Sequence, residues 1–274
     1  MPFVTRAGEP DIHYAVDDHT DPWTAPPTLV LQHGNGRSGA FWYASVPALA
    51  RHFRVVRPDM RGLGRSSRDF DPVSGLSLDA LLGDLLAVLD ALGPGPVHYC
   101  GESMGGILGL ALAALHPARV RTLTIISTPV FISDTMKQTY AVGHGSRFDA
   151  MRDMGIRNWV DHTNRTTRFP PDMDPGFLAW YADEFAKGDT ELLIRYAEFV
   201  CTASAMDFLP RVKAPVLGLY PSGGQITDRR QEALLTQHLP DFELVHLPTP
   251  YHMVHQILPD ACTAALRDFL RRRG

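Results

Sequence analysis

Cysteine is scarce. Among 274 residues there are three, Cys100, Cys201 and Cys262, too few and too scattered for a disulfide framework and without CxxC or Cys/His ligand spacing. A reducing compartment and no metal are expected. Long apolar runs are also lacking: the longest, Gly105 to Leu115, falls well short of the ~18 residues of a membrane span. Met1 to Pro10 carries no apolar segment of a signal peptide. The expectation is a soluble, cytoplasmic protein with no membrane partner. Nor is there a basic excess. Lys plus Arg number 26 against 30 for Asp plus Glu, a net charge of −4, which repels a phosphate backbone and argues against nucleic acid as a partner. The closing Arg271, Arg272 and Arg273 suit the C-terminus of a helix, where cations are stabilised.

What is present is a globular composition. Hydrophobic residues at 45% and charged residues at 20% exclude a disordered, collagenous or coiled-coil chain. Short apolar runs alternate with longer helical patterns, the mark of a mostly parallel sheet flanked by helices, an α/β fold. Strands are expected at Thr28 to Gln32, Arg54 to Arg57, Val97 to Cys100, Thr122 to Ile126, Val216 to Tyr220 and Glu243 to Leu247, with an antiparallel edge near Phe3 to Arg6 and Ile12 to Val16. Leu78, Leu81, Leu82, Leu85, Leu89 and Leu92 recur at helical spacing between a Ser77 cap and Gly93-Pro94. Residues 131–210 break the alternation with helical patterns rich in aromatics, so the expected organisation is a core of 1–130 and 211–274 with a helical cap inserted at 131–210.

Chemistry concentrates in a few strings. Gly101-Glu102-Ser103-Met104-Gly105-Gly106 follows a strand and opens a helix. A serine in so tight a turn needs neighbours without Cβ atoms, and the turn lifts its hydroxyl out of the sheet at the positive end of the helix. His33-Gly34-Asn35-Gly36-Arg37-Ser38 follows an earlier strand. Its glycines let backbone N–H groups converge beside Ser103, and a tetrahedral intermediate needs two such donors. Asn35 N–H and Met104 N–H are the candidates for that oxyanion hole. Asp59-Met60-Arg61-Gly62-Leu63-Gly64-Arg65-Ser66 is expected to fix loop backbone.

In this order the three strings resemble the α/β-hydrolase family, in particular its esterase and lactonase branch with the 3-oxoadipate enol-lactonases. The resemblance implies an α/β-hydrolase fold with a helical cap, a serine nucleophile and no cofactor. It also implies a base just after the last strand, where His252 stands, with His255 as competitor. Serine is a poor nucleophile until an imidazole takes its proton.

The third member of the triad is missing. Gly224 occupies the position where the family places its acid, and Ser127 or Thr128 the alternative position after the strand that follows the nucleophile helix. Three readings stay open: Asp228 or Asp134 reaches His252 from a shifted loop, Ser127 or a carbonyl orients the ring, or Ser103 and His252 work as a dyad. Loss of the carboxylate costs about 10⁴-fold in well-studied serine hydrolases, so the substrate is expected to be an activated ester or a strained lactone.

Trp42, Trp159, Trp180 and Met253 are candidates for the substrate pocket, and Arg157, Arg165, Arg168 and Arg195 for a substrate carboxylate. The expected function is hydrolysis of a small-molecule ester or lactone. C–C bond hydrolysis or cofactor-free lyase or oxygenase chemistry on the same site, or a low-turnover binding protein, are the alternatives. Substrate identity and oligomeric state are not written in these patterns.

Overall fold

The computed structural model describes residues 2–224 and 226–273. Its strands are β1 Phe3–Val4, β2 Ile12–Asp17, β3 Thr28–Gln32, β4 Arg54–Pro58, β5 Val97–Glu102, β6 Val120–Ile126, β7 Val216–Pro221 and β8 Phe242–Leu247. They form one sheet in the order β1-β2-β4-β3-β5-β6-β7-β8. The first two strands pair antiparallel, β2 runs antiparallel to β4, and the rest are parallel. Every strand expected from the apolar pattern is present, most extended by one or two residues. The first edge strand is the exception, stopping at Val4.

The helices are α1 Val46–Ala50, α2 Leu78–Leu92, α3 Met104–Leu115, α4 Asp134–Ala141, α5 Arg147–Met154, α6 Ile156–Thr163, α7 Pro175–Ala186, α8 Thr190–Thr202, α9 Arg229–His238, α10 Val254–Ile257 and α11 Pro259–Arg273. Alternation along the strands divides the core. Val30, Val56, Tyr99 and Ile125 join the cluster that holds α2 and α3, while Leu29, Leu31, Val55 and Cys100 join the one that holds α1 and α11, as a side-chain period of two requires. Ser77 caps α2 by accepting from Ala80 N–H, and Gly93 ends it at φ 124°. Among the described residues no helix is long and apolar enough to cross a membrane.

Between β6 and β7 the chain inserts α4 to α8, with a π-helical turn at Asn164–Arg168. The aromatic wealth of this insertion goes mostly into packing rather than into a cleft. Trp159, Phe169, Tyr181, Phe185 and Tyr196 are fully buried and continuous with the α2/α3 side of the core. Edge-to-face contacts of Phe169 with Phe177 and Tyr181, and of Phe41 with Tyr181, lock them together.

Candidate active site

The end of β5 is built for one strained residue. Ser103 adopts φ 54°, ψ −116°, a conformation that costs an L-residue about 1–3 kcal/mol and persists only where its surroundings enforce it. Ser103 N–H donates to Ile126 O at 2.9 Å, and Tyr99 Oη donates to Gly105 O at 2.8 Å. A Cβ at Gly101 would run into the backbone of Gly105, and one at Gly105 into the carbonyls of Gln32 and His33. The three segments thus approach as closely as they do because both positions are glycine.

The loop after β3 is tied to the loop after β4. His33 Nδ1 lies 2.8 Å from Gly34 O, and its Nε2 accepts from Met60 N–H at 3.0 Å. This assigns the proton to Nδ1, and burial pushes the pKa of the ring down, which keeps it neutral. Asp59 accepts from Gly39 N–H and Arg65 N–H and meets His13. The third string therefore holds backbone in place, and its Gly64 sits at φ 56° against the Asp59 carboxyl.

Ser103, His252 and Asn35 line one cavity of about 40 Å³, together with Arg37, Pro129, Ile132, Met136, Tyr140, Arg147, Arg168, Val200 and Ile226. The His252 ring is buried, and its backbone N–H donates to Thr167 O at 3.1 Å, so the turn Asn164–Arg168 holds the histidine loop. Among the described residues no hydrogen bond joins Ser103 Oγ to His252, and no acceptor takes the N–H of Asn35 or Met104. The serine and the histidine share this cavity, and the two main-chain donors are unengaged among the described residues. Among the described residues no group of three or more His, Cys, Asp or Glu is placed to hold a metal ion.

One carboxylate does lie beside the ring, and the sequence reading missed it. Glu102, one residue before the serine, is almost wholly buried, and its Oε1 lies 3.5 Å from His252 Nε2. Its Oε2 accepts from Arg37 Nη2 at 2.5 Å and from Gly34 N–H at 3.1 Å. Burial opposes the charged form, but Arg37 and then His252 outweigh it and hold the Glu102 carboxyl well below the usual carboxylate range. Burial lowers the His252 pKa despite the pull of Glu102, and Arg37 and Arg168 lower it further. The imidazole is therefore neutral at pH 7. Among the described residues its buried Nδ1 has no partner, nor has Ser127 Oγ at the end of β6, where Ser127 takes φ 45°.

Neither aspartate proposed for the ring serves it. Asp228 is exposed and caps α9 by accepting from Gln231 N–H at 3.0 Å. Asp134 stands in solvent in the first turn of α4, beside Lys137. A solvated carboxylate at a helix start cannot also partner a buried imidazole. The competitor His255 is buried on α10 and stacks on Trp42 with centroids 4.7 Å apart, and burial brings its pKa down to about 4.

The four pocket candidates are likewise corrected, since none lines the Ser103 cavity. Trp42 packs in the α1/α11 core, and Trp159 is fully buried behind the cavity wall, donating its Nε1–H to Tyr140 O. Trp180 packs on Phe41 and Tyr43, and Met253 is buried against Tyr181. Aliphatic and tyrosine side chains of the insertion take their place. Of the four candidate arginines, Arg157 and Arg195 are held in exposed ion pairs, Arg165 is exposed, and only Arg168 reaches the cavity.

Strand order, serine turn and following helix define an α/β hydrolase. Residues 27–256 match the model of the alpha/beta hydrolase fold, and the chain belongs to that family. A relative from Azorhizobium caulinodans, named "Putative carbamate hydrolase RutD", is 25% identical over 98% of both chains, and the protein of the same name from Caulobacter sp. is 28% identical over 92% of this chain and 93% of its own. Among solved structures, a hydrolase from Pseudomonas aeruginosa aligns with a TM-score of 0.83 at 26% identity, covering 98% of this chain and 97% of the other. The enol-lactonase from Burkholderia xenovorans aligns with a TM-score of 0.78 at 28% identity, covering 98% of this chain and all of the other. The protein is a hydrolase of this fold, with an enol-lactonase among its structural relatives.

Proposed function

We propose that the protein hydrolyses a small carboxylic ester or lactone through an acyl-enzyme on Ser103. The observation that carries this reading is the meeting of Ser103, on its strained positive-φ backbone, with His252 and Asn35 in a single cavity. The Ser103 hydroxyl gives its proton to the neutral imidazole as Oγ bonds to the substrate carbonyl carbon. The carbonyl electron pair moves onto oxygen, where the N–H groups of Asn35 and Met104 receive the charge. Collapse breaks the bond to the leaving oxygen, which takes the proton back from the imidazolium. A water then repeats the sequence on the acyl group and frees Ser103.

Glu102 supplies part of what the absent acid would. Its carboxylate, 3.5 Å from the ring, favours the imidazolium that forms during attack. Arg37 shares that carboxylate, so the help is weaker than an undivided charge at Nδ1 would give. Substrates with good leaving groups fit this machinery, and an unactivated amide does not. The relatives named as a carbamate hydrolase and an enol-lactonase have names that point to the same kind of attack, on a carbonyl bonded to a heteroatom.

Rapid mixing with a 4-nitrophenyl ester tests the reading. A burst of nitrophenol stoichiometric with enzyme is expected, with Ser103→Ala abolishing it and lowering kcat by about 10⁴-fold or more. Absence of a burst, and of turnover on esters, lactones and carbamates alike, overturns it.

A further inference from the structure

The walls of the Ser103 cavity carry three guanidinium groups, those of Arg37, Arg147 and Arg168, and among the described residues no carboxylate. Arg37 is answered from behind by Glu102. The other two are not answered. Arg147 is 7% and Arg168 3% exposed, and among the described residues neither has an acidic partner. What surrounds them is aromatic. Arg147 lies over Tyr140 at 4.9 Å and Trp159 at 5.3 Å, and Arg168 lies over Tyr140, Trp159, Tyr181 and Phe185 at 5.2 to 5.9 Å. Ring faces offset part of the cost of burying a cation, but they carry no countercharge.

The donor pattern is equally one-sided. Among the described residues every side-chain hydrogen bond of Arg168 leaves from Nη1, to Thr163 Oγ1, to Asn164 Oδ1 at 3.2 Å and to Val160 O at 3.4 Å. These bonds fix the plane of the guanidinium and leave Nε and Nη2 uncommitted. Arg147 Nε is buried with no partner among the described residues. The turn that carries Arg168 also receives the backbone N–H of His252 and of Met253, so the cation and the catalytic histidine are held by one piece of backbone. A planar fork in the wall of a cavity is an arrangement that can take a carboxylate through two parallel hydrogen bonds.

We infer that Arg147 and Arg168 form an anion subsite and that the substrate is an ester or lactone bearing its own carboxylate, seated on these two side chains while its carbonyl meets Ser103. This inference rests on the hydrolytic reading for the reacting end, and it adds the charge of the other end. The two buried cations repel each other, and Arg37 adds to the repulsion on Arg168. A bound carboxylate removes that repulsion, so charge is recognised more strongly than shape.

Two measurements keep this subsite and the hydrolytic chemistry separable. The first compares kcat/KM for mono-(4-nitrophenyl) succinate with that for its uncharged methyl ester. The anionic substrate is expected to be preferred by about 30-fold or more at low salt. Arg168→Met and Arg147→Met are each expected to lower that preference at least 10-fold, and Arg168→Lys to restore it only in part, because an ammonium is not a fork. The second is calorimetric titration of Ser103→Ala protein with succinate, which needs no turnover. Binding is expected to weaken at least 10-fold with Arg168→Met in the same background, and to fall with rising salt. Equal kcat/KM for the two esters, or succinate binding that ignores both arginines, overturns the subsite. Failure of ester turnover alongside arginine-dependent succinate binding would remove the hydrolytic reading and leave the subsite standing. Should Arg168→Met not fold, Arg147→Met decides by the same two readouts.

Discussion

Two arginines lie equally deep in this protein and are treated in opposite ways. Arg61, in the loop after β4, points both Nε and Nη2 at the Asp84 carboxylate of α2, each at 2.7 Å, and reaches Glu9 at 2.8 Å and Gly75 O at 3.0 Å. Arg6 joins the same carboxylate. Burial penalises the Arg61 charge, but Asp84 and Glu9 more than compensate and raise its pKa. Arg168 has the reverse balance: burial lowers its pKa, and the neighbouring Arg37 and Arg147 add to the lowering. A fold that can neutralise one buried arginine so fully has left the other open, and the difference marks the first as structural and the second as waiting for an anion. Arg37 is intermediate, structurally paired through Glu102 yet exposed to the cavity.

The strongest way to break this contrast is to remove the anion from the paired site. Asp84→Ala leaves Arg61 and Arg6 without their shared carboxylate, and loss of one partner of a buried pair costs about 3–5 kcal/mol. Arg168→Met strands no opposite charge among the described residues and removes only hydrogen bonds to neutral acceptors, so its cost is expected to be smaller, about 1–2 kcal/mol. Urea unfolding of both variants measures the two numbers side by side. Equal destabilisation would mean that Arg168 is also a structural cation, and the distinction drawn above would fall.

The intermediate case predicts a smaller effect on rate. Glu102→Gln keeps the shape of the side chain and its place between Gly34 and Arg37, but withdraws the charge beside His252. A reduction of kcat by about 10- to 100-fold is expected, below the roughly 10⁴-fold of a dedicated triad acid, because the carboxylate is shared with Arg37. Steady-state assays that returned full activity would assign Glu102 to folding alone. A KM that rises while kcat holds would say the same, since an aid to the transition state acts on kcat.

Much of this molecule was legible as sequence, and the illegible parts share a cause. The strands, the α2 leucine stripe and the strand-turn-helix around Ser103 follow from local periodicity and from glycines whose neighbours leave no room for a Cβ. Glu102 was in plain view in the same string. Its meaning came only with Arg37, 65 positions earlier, and an ion pair between two loops has no local pattern. Arg37, the one basic side chain after the glycines of the His33 string, was the available signal. Arg168 stood as one of four arginines offered for a substrate carboxylate, and nothing beside it set it apart, because a long cationic side chain on a helical insertion ordinarily reaches water. What buries it is the π-helical turn and four aromatic rings from α4, α6 and α7, none of which announces itself next to residue 168. Trp42 failed in the other direction: adjacent in sequence to the His33 loop, it turns into the core below the sheet, where α11 covers it.

The finest test of the contrast is a displacement along the pH axis rather than a loss of rate. The base must be neutral to accept the serine proton, so kcat/KM falls on the acid side as His252 protonates in the free enzyme. Burial depresses its pKa from the ordinary 6.5, Glu102 opposes the depression, and Arg37 and Arg168 reinforce it. The acid limb is therefore expected below pH 6.5. The two substitutions then carry opposite signs. Arg168→Met removes a neighbouring cation, makes the imidazolium easier to form, and moves the limb toward higher pH. Glu102→Gln removes the neighbouring anion and moves it toward lower pH. A neutral ester is the proper substrate for both profiles, because its binding does not titrate with the arginine fork. If the two variants shifted the limb in the same direction, His252 would not be sensing these charges as through-space neighbours, and the cavity would have to be explained by conformational change instead.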